Sequence, residues 1–246
     1  MRLLIQHKIE HELRLPLAYH HIIQGIIYHN LKDVYEYSSY LHDKGVSYGE
    51  RNYKLFTFSL LQGKYSIQNK TIVFLENVAF EISSPDIFLI QTLAKRIHEH
   101  GICYGKNHYK DVDVYVSDDT VEQKEIQIQM LSPICVYSSD VLTGKTHYYA
   151  PQEEEFQKLI NENFFRKYFA CYSVVPESEI ELRIKKVTNK DKYVTRYKGT
   201  YITAYSGTYE LFGERKYLDF LYQTGLGSKN SQGFGMFEII ENDELE

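Results

Sequence analysis

Apolar and polar positions alternate along the chain, then recur at helical spacing, and the sequence does both twice. Met1 to Ile9 reads as a strand, with Leu3 and Ile5 on one face. Ile22, Ile23, Ile26, Ile27 and Leu31 recur at helical intervals, and Pro16 suits that helix's first turn, where its missing N–H costs nothing. A second helix is expected from Asp33. Asp33 and Glu36 form a capping-box-like start, Val34, Tyr37 and Leu41 an apolar stripe, and Gly45 a C-terminal cap. Tyr53 to Gln62 reads as a strand, Gly63-Lys64 as a turn, and Tyr65 to Leu75 as the partner strand. Val78, Phe80 and Ile82 alternate again. Pro85 opens a helix carrying Ile87, Leu89, Ile90, Leu93, Ala94 and Ile97, and Asp111 to Val116 alternates once more.

The polar segment Ser117 to Gln123 reads as a domain boundary, after which the theme repeats. Ile126, Ile128 and Met130 begin a strand running past Pro133. Pro151 opens a helix with Phe156, Leu159, Ile160 and Phe164. Ile180, Leu182 and Ile184 alternate with Arg183 and Lys185, and Tyr201 to Phe212 reads as one strand. Arg215 to Thr224 reads as a short helix and Phe234 to Ile240 as the last strand. Each half is therefore strand, helix, strands, helix, strand, in the manner of a ferredoxin-like unit. The expected fold is α+β: two tandem ferredoxin-like (RRM-like) domains at 1–118 and 124–246, with antiparallel sheets and helices on one face.

Composition narrows the setting. Of 246 residues, 43% are hydrophobic, enough for a core. No apolar run approaches a membrane span, and Met1 to His7 turns polar too soon for a signal peptide. Cys103, Cys135 and Cys171 form no CxxC pair, which suits a reducing cytoplasm and argues against a cysteine zinc site. The ten histidines lack the spacing of a helical zinc pair, so they read as solvent-exposed side chains and no metal is expected. Net charge is −5, against a general nucleic-acid binder. Yet Arg183, Lys185, Lys186, Lys190, Lys192, Arg196 and Lys198 cluster with only Asp191 among them. The run reads either as one basic face or as a solvated hairpin.

The most distinctive stretch is Gly225-Leu226-Gly227-Ser228-Lys229-Asn230-Ser231-Gln232-Gly233-Phe234-Gly235. Glycine reaches φ > 0 and admits close backbone approach. Successive N–H groups in such a loop can form a nest for anions. Gly225, Gly227, Gly233 and Gly235 would shape a phosphate cradle, Lys229 would add charge, and Ser228, Asn230 and Ser231 would add hydrogen bonds. The stretch fits neither a P-loop nor a dinucleotide loop. It reads equally as a tight connection between a helix and the last strand.

RNA can be cut without a metal if its own 2′-hydroxyl is the nucleophile. Such a site needs a proton acceptor, a proton donor and a stabiliser for the phosphorane. His42, Tyr28 and Lys54 can form such a set. In one straight helix Tyr28 and His42 would stand about 21 Å apart at ~1.5 Å per residue, so the chain must turn near Asn30 to Asp33. Taken singly, His42 also reads as a helix C-terminal cation, Tyr28 as a half-buried core residue, and Lys54 as a strand edge.

With these residues in place the chain resembles the CRISPR-associated endoribonucleases of the Cas-six family, in the repeat-associated (RAMP) superfamily. The resemblance rests on Gly225-Leu226-Gly227 and Gly233-Phe234-Gly235 before the last strand. It also rests on Gln24-Gly25-Ile26-Ile27-Tyr28, Tyr40-Leu41-His42, Lys54 to Ser59 and Leu131-Ser132-Pro133-Ile134. It implies metal-independent, cofactor-free cleavage of precursor CRISPR RNA within repeats, leaving 2′,3′-cyclic phosphate and 5′-hydroxyl ends. His42 would transfer protons, Tyr28 orient the 2′-hydroxyl and Lys54 stabilise charge, with RNA along the glycine loop and the basic run. Other Cas proteins and a second copy of the chain are the further partners implied. His29, beside Tyr28, competes for the histidine role. A rival reading is a non-catalytic RNA-binding subunit of an effector complex. Another is an unrelated enzyme using the glycine loop for a small nucleotide.

Overall fold

The computed structural model describes residues 1–32, 46–49, 51–140, 142–197 and 199–241. The helix expected between Asp33 and Gly45 lies outside them. Two four-stranded antiparallel sheets organise the chain. The first runs Asp113–Ser117, Arg2–Lys8, Asn77–Ser83, Thr57–Phe58, with helices α1 (His20–Leu31) and α2 (Ile87–His100) as connections. The second runs Glu181–Lys186, Thr208–Phe212, Glu125–Met130, Phe237–Ile240, with helices α3 (Glu154–Tyr172) and α4 (Arg215–Thr224). In chain order the first is 4-1-3-2 and the second is that order read from its other edge, so both halves are ferredoxin-like.

Each sheet buries one face. Leu3 and Ile5 stand opposite Ile82 and Phe80 and pack with Ile23, Ile27, Leu89 and Leu93 of α1 and α2. Ile126 and Ile128 stand opposite Leu211 and Tyr209 and pack with Phe156, Phe164, Leu218 and Leu221 of α3 and α4. The alternation and the helical stripes found in the sequence are these two cores.

The turns differ from expectation more than the cores. Pro16 closes a strand instead of opening a helix: Leu13–Pro16 pairs with Thr71–Phe74 at a sheet edge, where a missing N–H is tolerated. The Tyr53–Gln62 strand is broken at Leu55, which sits at φ 43°, and only Thr57–Phe58 joins the main sheet. Tyr65 to Leu75 is a hairpin of its own around Asn69 and Lys70, both at positive φ as a tight primed turn requires. The strand begun at Ile126 stops at Met130, before Pro133. Tyr201 to Phe212 is two strands in different sheets. Thr200–Tyr205 pairs with Lys192–Tyr197, and the chain then switches sheets at Gly207 (φ 114°), where a Cβ would fall 2.6 Å from the Lys186 carbonyl oxygen. Phe234 to Ile240 is strand only from Phe237.

Candidate functional site

The glycine loop leaves α4 at Gly225 and turns through a single 3-10 turn, Asn230–Gln232. Its four glycines all have positive φ, and all are buried. A Cβ on Gly235 would lie 1.9 Å from the Leu226 carbonyl oxygen, and one on Gly233 would lie 2.3 Å from the Phe58 ring. The N–H groups of Gly225, Gly233 and Gly235 are given to the carbonyls of Leu221, Asn230 and Pro133. The glycines therefore close the loop on itself and on the first half of the chain. The part that faces outward is Ser228 to Gln232, all half-buried.

A buried lysine fastens this loop. Lys167, on α3, is 2% exposed, and its ammonium donates to Gly225 O at 2.6 Å and to Asn230 Oδ1 at 3.1 Å. Asn230 Nδ2 in turn donates to the carbonyls of Leu226 and Phe234, each at 3.0 Å. Burial with no acid to balance it pulls Lys167 down to about 7. The sequence carries a trace of this: Lys167 stands three residues beyond Phe164, on α3's buried stripe.

The loop also joins the two halves. His20, read as solvent-exposed from sequence, is 2% exposed and sits between Gln232 and Tyr193. A carbonyl can only accept, so His20 Nδ1 donates to Gln232 O at 2.8 Å, and Nε2 accepts from the Tyr193 hydroxyl at 3.0 Å. Burial lowers this imidazole to about 4, so it is neutral. Gln24 Nε2 donates to Ser231 O at 2.6 Å, and Gln24 Oε1 accepts from the Tyr197 hydroxyl. His20 falls three residues before Ile23 and seven before Ile27, which is the spacing of the buried stripe.

Beside the joint opens a cleft of about 400 Å³, between Arg51–Phe56, the strand Tyr137–Ser139, α3, and Ser228–Gln232. Lys54 lines it from the first half and Lys229 from the second. The Lys54 ammonium stands 5.9 Å from the centre of the Tyr28 ring, and Tyr28 packs edge-on against Phe56. Burial pushes the Tyr28 phenol up to about 12. Tyr28 therefore keeps its proton at neutral pH and can donate a hydrogen bond but cannot act as base. Two of the three expected catalytic side chains are thus neighbours beside the loop. His42 lies outside the described residues.

The model of the family described as CRISPR associated protein Cas6, C-terminal, matches residues 116–239, half of the chain. This chain belongs to the Cas6 family. A CRISPR-associated endoribonuclease Cas6 of Pyrococcus furiosus is 26% identical over 243 residues, covering 93% of this chain and 85% of the relative. Endoribonuclease Cas6 1 of Methanocaldococcus jannaschii is 25% identical over 252 residues, covering 98% and 94%. The solved structure of a Cas6-related protein from Pyrococcus furiosus superposes with TM-score 0.80 at 20% identity, over 99% of each chain.

On this Cas6 fold the basic run is divided between two sheets. Arg183, Lys185 and Lys186 belong to the main-sheet strand Glu181–Lys186, Lys190 to a 3-10 turn, and Lys192 and Arg196 to the hairpin strand Lys192–Tyr197. Lys198 lies outside the described residues. Arg183 is paired to Glu181 at 2.7 and 3.0 Å and lies over the Phe212 ring. The chain changes sheets between Lys186 and Lys192, so the run is carried on two strands that do not pair with each other. The hairpin presents Tyr193 and Tyr197 to His20 and Gln24 of α1, while Lys192 and Arg196 stay exposed.

Proposed function

We infer that this chain is an endoribonuclease that cleaves precursor CRISPR RNA within its repeats, without a metal or cofactor, leaving a 2′,3′-cyclic phosphate and a 5′-hydroxyl. The supporting observation is that Lys54, with Tyr28 against it, shares one cleft with the outward residues of the glycine loop. In this reading unit 1–118 supplies the chemistry and unit 124–246 holds the RNA. His42 accepts the 2′-hydroxyl proton as that oxygen attacks phosphorus. The bond from phosphorus to the 5′-oxygen breaks, and a proton passes to that oxygen. Tyr28, fixed in its protonated form, orients the 2′-hydroxyl, and Lys54 balances the charge of the phosphorane. Ser228, Lys229, Asn230 and Ser231 hold the backbone beside the scissile bond. Lys192 and Arg196 extend that contact along the hairpin.

The test is cleavage of repeat RNA in EDTA. Wild type should cut at one position, and His42→Ala should lose about 10²- to 10⁴-fold in rate while still binding. Wild type that binds the repeat tightly but leaves it intact would make the protein a binding subunit instead.

A further inference from the structure

Lys167 carries an ammonium into a part of the protein that offers it no anion. Its contacts are oxygens of uncharged groups: Gly225 O at 2.6 Å, Asn230 Oδ1 at 3.1 Å and Thr224 O at 3.5 Å. The centre of the Phe220 ring lies 6.0 Å from the same Nζ. Acids on the neighbouring helices are engaged elsewhere. Glu162, on α3, pairs with Arg166 at 2.7 Å, and Asp219, on α4, accepts from Gln223 and from the Val121 N–H. The cleft that Lys167 helps to line adds charges of its own sign, Arg51, Lys54 and Lys229, and phenols from Tyr53 and Tyr137. No acid lines that cleft among the described residues. Lysine is almost never fully buried unless paired, because an uncompensated charge keeps its desolvation penalty. Four cations thus converge on one opening, and one of them sits beneath the loop that faces it.

We propose that Lys167 is a positioning residue whose missing counter-ion is the RNA: it fixes the loop from beneath, and a phosphate held by Ser228 to Ser231 supplies the opposite charge, so that binding RNA takes up a proton. Both ends of the outward segment depend on that ammonium. Lys167 ties Gly225 to Asn230, and Asn230 ties Leu226 to Phe234. Burial holds the unbound lysine at about 7, so about half of the free molecules are charged there at neutral pH. An anion nearby favours the charged form. RNA therefore binds the protonated protein more tightly and raises the lysine in turn. This inference rests on the RNA reading above.

The experiment measures repeat-RNA binding by the full chain as His42→Ala, to keep the RNA intact, with and without Lys167→Met. Calorimetry just above neutral pH, in buffers of different ionisation enthalpy, counts the protons exchanged. The parent should take up about half a proton per RNA bound, and Lys167→Met none. Below about pH 6 the lysine is already charged in the free protein, so affinity is at its full value. As pH rises from there to about 9, a one-unit rise in the bound lysine makes affinity fall about tenfold. Lys167→Met should flatten that fall. His20, the neutral imidazole against the same loop, titrates at about 4 and stays outside this window. Should Lys167→Met not fold, Lys167→Gln, an uncharged donor, carries the same comparison. Tight binding with no proton taken up would overturn the proposal, and so would an uptake that the substitution leaves unchanged. A chain that binds no repeat RNA at all would instead defeat the functional reading itself.

Discussion

The two ferredoxin-like units share a strand order but differ in what they bring to their junction. The N-terminal unit brings mainly side-chain donors and the C-terminal unit mainly backbone carbonyls, the Tyr193 and Tyr197 hydroxyls being side chains that it adds. Arg2 donates to the carbonyls of Tyr222 and Phe237, and its guanidinium lies 3.6 Å from the centre of the Tyr222 ring. Ser83 donates to the Tyr222 and Gln223 carbonyls, Thr57 to that of Phe234, Gln24 to that of Ser231, and His20 to that of Gln232. A carbonyl is present whatever the residue, so most of the C-terminal side is constrained in shape rather than in side-chain chemistry. That constraint falls on glycine. On the N-terminal side it falls on the donor.

The strongest way to break this asymmetry is to add one carbon to the backbone side. Gly233 has φ 86°, and an added Cβ would lie 2.3 Å from the fully packed Phe58 ring and 2.9 Å from His20 Nδ1. Left-handed strain and overpacking combine, so Gly233→Ala should lower unfolding stability by about 4 kcal/mol. Urea titration measures this, and a loss below about 1 kcal/mol would mean that the loop has room the contacts deny.

The donor side is sharpened by pH. His20 falls from 6.5 unfolded to about 4 folded, because burial disfavours its charge. Between those values the unfolded chain binds more protons, so stability rises with pH across this window. Conversely it is lost on acidification, by about 3 kcal/mol in all at 1.36 kcal/mol per unit. His20→Leu should remove that part of the slope. A slope unchanged by the substitution would assign the acid sensitivity elsewhere.

The same asymmetry explains what the sequence made legible. The two cores were readable because Leu3, Ile5, Ile126 and Ile128 announce their faces by period alone. The glycine loop was readable because a backbone requirement appears directly as a residue type. Donors such as Arg2, Gln24 and Thr57 were not, because nothing local marks a polar side chain whose partner is a carbonyl more than a hundred residues away. Lys167 is a harder case: its place on the apolar stripe of α3 argues for burial, while its charge argues for solvent. Only the closed loop, with Gly225 O and Asn230 Oδ1 turned toward it, resolves the conflict. The missed turns have a separate cause. Asn69-Lys70 and Ser206-Gly207 interrupt runs whose alternation looks continuous on both sides.

The smallest expected effect lies at Thr57, and its size is informative. Thr57 is fully buried, and its hydroxyl donates to Phe234 O at 3.0 Å. Thr57→Val keeps the shape and removes the donor. An acceptor left bare would cost about 1–3 kcal/mol. Phe234 O is not left bare, because Asn230 Nδ2 from its own unit also donates to it at 3.0 Å. Thr57→Val should therefore cost about 1 kcal/mol or less. Asn230→Leu with Thr57→Val should cost more than the two separate losses added together, since the second removal strips the carbonyl of its remaining donor. A double-mutant cycle in urea measures the coupling. Strict additivity would mean that the two units do not share this carbonyl, and that the backbone side of the junction is held from within the C-terminal unit alone.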